Sequence, residues 1–372
     1  MRESQELIEQ INLTIDQREL ALPETPVLLM VSGGSDSTAL AYLARELQDA
    51  GRIGLVAMLH VNHQLRGEDA DADQVFVTKL AELLNIPLFS CEIDIASEAR
   101  RTGENVEALA RHERYLAANE ALESLCMHSA APLSEGRIFT AHTQDDRAEN
   151  FYMRSIVGTG PGGFRSMLYR NGPVVRPLLD VSREDLRAYI EARAQGDKPV
   201  MRDEEGCLWR EDATNAHTDR FRAFVRHEMV ARAKERNPQV LDTLCRTMNL
   251  IADEDDMLEE QTTCLVERFV EWLVSADELG VDYGAGCVIA PEFGKEPLPL
   301  QRRACMQLLQ LMLGSDARVE TASIERVLAG FAEGGPVSGY TNNIQGDLAI
   351  SANKNGVRIE PMAAYRARRK KS

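Results

Sequence analysis

The stretch Val27 to Ser37, VLLMVSGGSDS, runs an unbroken apolar strand into a glycine-rich turn and then into a helix that begins near Asp36. Gly33 and Gly34 let backbone N–H groups converge on an anion, and the helix N-terminus adds partial positive charge. Ser32 to Ser37 therefore reads as a cradle for pyrophosphate. It carries neither the lysine of a GxxxxGK loop nor the spacing of a GxGxxG dinucleotide turn, so both of those nucleotide classes are excluded. An aspartate inside such a nest repels phosphate unless a divalent cation stands between them, which assigns Asp36 to magnesium.

Outward from this turn the chain alternates apolar runs with helical periods, the mark of a parallel α/β sheet. The runs are Val27–Val31, Gly54–Val61, Pro87–Ile95, Arg137–Ala141 and Val174–Leu178; helices are expected over Ser37–Ala50, Asp69–Leu84, Val106–Cys126 and Ser182–Arg193. The runs lack apolar/polar alternation, which implies strands buried on both faces. Gly158 to Gly163, GTGPGG, is expected to be a mobile loop. Beyond about Asp219 the pattern turns helical. Gly335 to Glu360 reads as a small β element with turns at Asn342-Asn343 and Lys354-Asn355-Gly356, followed by a basic tail from Arg366 to Lys371.

The 372 residues fit two or three domains, and 44% hydrophobic with 27% charged residues describes a soluble globular chain. No apolar run approaches a membrane span, and Met1 to Leu20 lacks the apolar core of a signal peptide, so a cytoplasmic protein is expected. The 7 cysteines are scattered, with no CxxC and no zinc spacing. Reduced thiols are expected, and a clustered iron–sulfur centre, structural zinc or dithiol mechanism is not. A net charge of -17 disfavours non-specific nucleic-acid binding, so an RNA partner must be met by local basic patches.

SGGxDS after a first strand is the motif of the PP-loop ATP pyrophosphatases, which this chain resembles. The resemblance implies cleavage of ATP between the α and β phosphates, with adenylation of an oxygen. Downstream, VNHQLR (Val61–Arg66), ARHERY (Ala110–Tyr115), AHTQDDRAEN (Ala141–Asn150), RPLLD (Arg176–Asp180) and DATN (Asp212–Asn215) resemble the tRNA(Ile)-lysidine synthetase family in order and spacing. The likeness covers about Pro26 to Pro238. Family members often show RNxxR where this chain has RAFVR, Arg222 to Arg226, with Ala223 in place of the asparagine, and a proline near Ala231. The expected architecture is a doubly wound parallel PP-loop catalytic domain (1–218), a smaller helical tRNA-binding domain (219–334), then a β hairpin and basic tail (335–372).

The resemblance implies ligation of free L-lysine to C2 of the wobble cytidine in an isoleucine tRNA bearing a CAU anticodon. ATP adenylates O2, and the lysine ε-amine then displaces AMP. The product pairs with A instead of G. Another PP-loop tRNA-modifying enzyme, such as a thiolase, is the alternative.

ATP is expected at Ser32, Gly33, Gly34, Ser35, Asp36, Ser37 and His63, and the α-phosphate at Arg111, whose competing partner is Glu107 one turn earlier. Asp145 and Glu149, four apart on a helix, share a face and with Asp146 form an acidic cluster suited to an ammonium ion. Deprotonating a lysine amine of pKa about 10.4 at neutral pH costs roughly 4.6 kcal/mol, and carboxylates raise that pKa further. Asp146 and Glu149 are therefore assigned to lysine recognition, with Asp145 or Asp146 as the base. The other reading of the cluster is an acidic helix start that complements the dipole. His142, at the end of a strand, meets phosphate or base, or is structural. Arg66, Arg222 and Arg226 are the expected tRNA contacts, in a basic run that includes Arg220, Arg232, Lys234 and Arg236 and that otherwise reads as solvated surface.

Overall fold

The computed structural model describes residues 4–211, 221–273, 282–314, 317–332 and 334–371. The DATN segment and Arg220 lie outside them. The chain divides into two compact units, Met1–Ile251 and Ala252–Ser372.

In the first unit the order is α1 (Ser4–Gln17), β1 (Val27–Met30), α2 (Ser35–Asp49), β2 (Val56–Asn62), α3 (Glu68–Leu84), β3 (Leu88–Glu92), α4 (Ile95–Thr102), α5 (Val106–His128), β4 (Arg137–Phe139), α6 (Gln144–Val157), β5 (Arg170–Asn171), β6 (Val174–Val175) and α7 (Arg183–Gln195). The sheet runs β3-β2-β1-β4-β6-β5, parallel except at β5. β1 is central, with β2 on one side and β4 on the other, in register Val27↔Val56 and Val27↔Arg137. The strand order reverses there, and that reversal opens the crevice in which open α/β sheets bind ligands.

Alternate residues of each strand feed two separate cores, which is why the runs are continuously apolar. Val27, Leu29, Val56, Met58 and Phe139 pack with α1, α2, α3 and α7. Leu28, Ala57, Leu59 and Ile138 pack with Ala118, Leu122 and Leu125 of α5. Helix starts are set by capping side chains: Asn105 accepts from the Glu107 and Ala108 N–H groups, and Ser182 accepts from the Asp185 N–H. Thr143 and Asp146 form a reciprocal capping box at α6.

Three expectations are corrected here. Gly158–Gly163 is not wholly irregular, since Pro161–Arg165 forms a 3-10 turn. α4 falls in the connection after the third apolar run, where no helix is expected; Asp94 caps it and Gly103, at φ 76, ends it. The helical run α8 (Phe221–Phe224), a π-helical turn (Val225–Val230) and α9 (Ala231–Arg236) belongs to the first unit, not to a second domain beginning at 219. Val225, Val230 and Leu241 share a small core with Ala148 of α6, and that packing draws the run inward. The division between units falls inside α10 (Val240–Phe269).

The second unit combines β7 (Val270–Trp272), β8 (Cys287–Ile289), α11 (Leu298–Leu313), α12 (Thr321–Leu328), β9 (Phe331–Ala332), β10 (Gly335–Pro336), β11 (Thr341–Ile344), β12 (Leu348–Asn353), β13 (Gly356–Pro361) and α13 (Met362–Lys371). The expected hairpin is part of a five-stranded antiparallel sheet, β11-β12-β13-β8-β7. Its Lys354-Asn355 turn is found, with Asn353 opposite Gly356, whereas Asn342 and Asn343 lie within β11 and pair with Ile350 and Ala349. The basic tail is helical: Arg368 folds back on buried Glu360, and this ion pair anchors α13 to the end of β13.

Candidate active site

The loop after β1 meets its neighbours through serines and backbone. Gly33 takes φ 91, a conformation that favours glycine, and a Cβ there would sit 3.5 Å from the Arg210 side chain. The Arg210 N–H donates to the Gly33 carbonyl at 2.9 Å, so the chain before residue 212 lies along the loop. The Ser37 hydroxyl donates to the Gly34 carbonyl and accepts from the Ser32 N–H at 3.2 Å. Thr38 Oγ1 donates to the Gly33 carbonyl. These bonds fix the turn with Gly34 as the N-cap of α2 and no side chain capping its first N–H groups, so those donors are available to an anion.

A cavity of about 1070 Å³ opens on this loop at the carboxyl ends of the strands. It gathers Ser32, Gly34, Ser35, Asp36 and Ser37 with His63, Arg66, Arg111, His142, Asp146 and Arg226. Asp145 is not in it. Asp145 faces a smaller cavity of about 330 Å³ shared with Glu184, Glu191 and Lys234, where it accepts from Lys234 Nζ at 2.7 Å and from the Arg183 N–H at 2.8 Å. The pairing of Asp145 with Glu149 expected from their spacing is thus replaced by that of Asp146 with Glu149: Arg222 bridges them, donating to Asp146 Oδ1 at 2.9 Å and Glu149 Oε2 at 2.8 Å. The capping box explains the switch, because Thr143 holds Asp146 Oδ2 and aims the other oxygen into the cavity.

Arg226 adds a second cation to Glu149, at 2.6 Å. Arg222 and Arg226 thus face carboxylates instead of forming an outer phosphate-tracking stripe. Arg232 pairs with Glu228, and Lys234 with Asp145. Arg66 pairs with Asp73 at 2.8 Å, and Asp73 also accepts from Arg210. The acidic character of the chain reaches inward and occupies its basic residues.

Arg111 and Arg114 project from the first turns of α5. Among the described residues Arg111 makes no ion pair with Glu107; its guanidinium lies 5.2 Å from the centre of the Tyr115 ring. Arg114 approaches His63 Nε2 at 3.2 Å. Burial, reinforced by the charge of Arg114, lowers the His63 pKa to about 4. Burial lowers that of His142 likewise to about 4, against the pull of Asp146, and His142 Nδ1 sits 2.9 Å from Thr140 Oγ1. Both rings are neutral at neutral pH.

The loop aspartate is partly buried, its side chain 18% exposed. Burial raises the Asp36 pKa, opposed by Arg183, whose Nε donates to Asp36 Oδ2 at 2.8 Å. Burial acts the same way on Asp146, yet Arg183, Arg222 and the Thr143 N–H together hold its carboxyl below the ordinary value. Among the described residues no group of three or more His, Cys, Asp or Glu is gathered for a metal. Magnesium, which keeps several waters and is held through one or two carboxylates plus substrate phosphates, needs no such group. Asp36 beside Asp146, with a cationic guanidinium now between them, suits that ion.

Several lining residues carry no motif of their own in the sequence. His60, 5% exposed, bonds Val31 O through Nδ1, while its buried Nε2 has no partner. Arg187 bonds Ser35 Oγ and stacks over Trp209. Arg183 opens α7, and the Ser182 cap was the available signal: a capped helix following a parallel strand starts at the ligand-binding edge.

Fold, phosphate turn and switch-point cavity define a nucleotide-binding α/β protein of the ATP-cleaving kind, and residues 4–233 match the PP-loop domain family. The chain belongs to that family. It is 36% identical over 299 residues to the tRNA(Ile)-lysidine synthase of Thermus thermophilus, covering 80% of this chain and 51% of the relative. It is 32% identical over 310 residues to that of Geobacter sulfurreducens, covering 82% of this chain and 59% of the relative. The chain thus spans little more than half the length of these curated relatives. Among solved structures, the U34-tRNA thiolase NcsA from Methanococcus maripaludis, with its [4Fe-4S] cluster, is similar at TM-score 0.44 and 16% identity, over 66% of this chain and 78% of that one. Among the described residues no helix is long and apolar enough to cross a membrane.

Proposed function

We propose that this protein joins L-lysine to C2 of the wobble cytidine of an isoleucine tRNA with a CAU anticodon, using ATP and magnesium through an O2-adenylated cytidine. The observation that carries the reading is the juxtaposition, in one cavity, of the SGGSDS turn with Asp146, whose carboxylate is bridged by Arg222 to the buried Glu149 behind it. A phosphate nest alone fits any PP-loop enzyme. A carboxylate pair already holding guanidinium groups a few ångströms away is a place for an amine nucleophile.

In this reading Ser32 to Ser37 bind the β and γ phosphates through backbone N–H groups and hydroxyls. Asp36 is the residue that would hold magnesium, and the ion's charge would offset the negative charge that builds on the pyrophosphate leaving group. Arg111, free of Glu107, swings from Tyr115 to the α-phosphate, where its fork meets the charge that develops during adenylation. His63, neutral beside Arg114, contacts the adenosine. The wobble base must leave its stack to reach the α-phosphate. Asp146 and Glu149 take the lysine ammonium in place of Arg222 and Arg226, and those arginines, with Arg66, turn to phosphates of the anticodon loop. The ammonium first gives a proton to Asp146, the free amine then attacks C2, and the C2–O2 bond breaks as AMP departs with the oxygen. Asp145, tied to Lys234, holds the start of α7 in place, so its role as base passes to its neighbour.

The experiment is transfer of radiolabelled lysine to the CAU isoleucine tRNA with ATP and magnesium, alongside Asp36→Ala. Label entering tRNA with the wild type and not with the variant is the expected outcome. ATP cleavage with lysine left free would retain the fold assignment and reject the substrate.

A further inference from the structure

Arg183 reaches the four carboxylates to which roles are assigned, Asp36, Asp145, Asp146 and Glu149. Its Nε donates to Asp36 Oδ2 at 2.8 Å and its Nη2 to Asp146 Oδ1 at 3.4 Å, while Nη1 lies 3.9 Å from Glu149 Oε1 and the backbone N–H donates to Asp145 Oδ2 at 2.8 Å. No motif points to it. The side chain is 21% exposed and lines both cavities. Its guanidinium thus spans the carboxylate assigned to magnesium and the carboxylates assigned to the amine.

We propose that Arg183 is a positioning residue that couples the nucleotide subsite to the amine subsite, so that occupancy of the first by magnesium and ATP opens the second to lysine. The inference rests on the function proposed above. Without nucleotide, one planar cation satisfies Asp36 and Asp146 together, and an incoming ammonium must displace it. A divalent cation at Asp36 removes one of its two acceptors and repels the guanidinium. The triphosphate on the adjacent loop offers oxygens in exchange, to which arginine bonds strongly and in bidentate fashion. Drawn toward phosphate, Arg183 gives up its share of Asp146 Oδ1, and the substrate ammonium then has Arg222 alone to displace from that oxygen. Coupling of this kind is reciprocal: lysine tightens nucleotide binding by the same factor.

The contacts make Arg183 different from its neighbours. Arg222 also pairs with the amine carboxylates, but its ion pairs are to Asp146 and Glu149 and not to Asp36. It competes with lysine equally whether or not nucleotide is present. Arg222→Gln therefore changes lysine affinity in both states and leaves the ratio between them intact, whereas Arg183→Gln collapses the ratio.

Equilibrium dialysis of radiolabelled lysine against the full chain, with and without magnesium and α,β-methylene ATP, reads the ratio directly. Wild type is expected to bind lysine about tenfold or more tightly with nucleotide, within the range of ordinary allosteric couplings. Arg183→Gln is expected to bind with the same affinity in both states. Arg183→Lys, whose single ammonium holds one carboxylate at a time, is expected to show a reduced ratio, and it carries the test if the glutamine variant does not fold. A wild-type ratio near one, or a full ratio in either Arg183 variant, overturns the proposal and leaves the proposed function standing. Wild type that binds no lysine in any state overturns both.

Discussion

Asp36 and Glu149 illustrate how two carboxylates that share Arg183 as a neighbour are given different tasks by their other partners. Asp36 sits on the phosphate turn and is held by one arginine, while Glu149, 1% exposed, is surrounded by three. Glu149→Gln removes one of the two charges meeting the ammonium. Losing a charged hydrogen bond costs about 1.5–3 kcal/mol, so the lysine KM is expected to rise roughly tenfold to a hundredfold with a smaller change in the KM for ATP. An unchanged lysine KM in steady-state kinetics would remove Glu149 from the amine site. His142 supplies a pH prediction. Its folded pKa of about 4 lies below the ordinary histidine value of about 6.5, so below about 6.5 the unfolded chain binds a proton that the folded chain does not. The stability it contributes is complete above that point and is lost as pH falls toward about 4. Urea midpoints measured from about pH 7 down to about pH 5 should fall less in His142→Gln than in wild type, and parallel curves would contradict the burial argument.

At the level of elements, the site is made by strand ends and helix starts. Gly33→Ala places a Cβ at φ 91, which costs about 1–2 kcal/mol in the left-handed region before any contact with Arg210 is counted. Thermal melts should show that loss together with a larger drop in pyrophosphate release; a variant of wild-type stability would mean that the loop does not need this conformation. Thr143→Ala removes a capping side chain worth about 1 kcal/mol and one of the two hydrogen bonds to Asp146 Oδ2, the backbone N–H remaining. The expectation is lower stability and weaker lysine binding in the same variant, read by melting and dialysis. Stability lost with lysine affinity intact would separate the cap from the site. The strands, α2, α3, α5 and α7 were legible in the sequence because apolar runs and capping residues are local signals. Asp146 and Glu149 are the pair assigned to lysine in the sequence, but spacing alone gives no ground for Asp146 over Asp145, since the i,i+4 rule favours Asp145. The Lys234 contact that draws Asp145 away comes from a residue 89 positions later in the chain.

Across the whole molecule, the net charge of -17 shapes how RNA can be met. Most cations of the run from Arg222 to Lys234 are already engaged by Glu149, Asp146, Asp145 or Glu228, a cross-chain neutralisation that a count of basic residues does not reveal. Affinity for tRNA should therefore rest on few phosphate contacts and show a shallow dependence on salt. Each contact contributes a slope of about 0.7–0.9 in the logarithm, and Arg222→Gln should lower that slope by about one contact at most. A steep slope that Arg222→Gln leaves untouched would place the RNA surface elsewhere. The second unit is less legible in the sequence than the first: its short strands give weak periodicity, and β8, the partner of β7, pairs with β13 some 70 positions away. The central claim, that the cavity uses an amine and not a sulfur donor on cytidine, is tested most directly by nucleoside mass spectrometry of the CAU isoleucine tRNA after reaction with ATP, magnesium and isotopically heavy lysine. The account predicts a heavy-lysine adduct on the wobble cytidine that is absent with Asp36→Ala, whereas an unmodified or thiolated wobble base would contradict it.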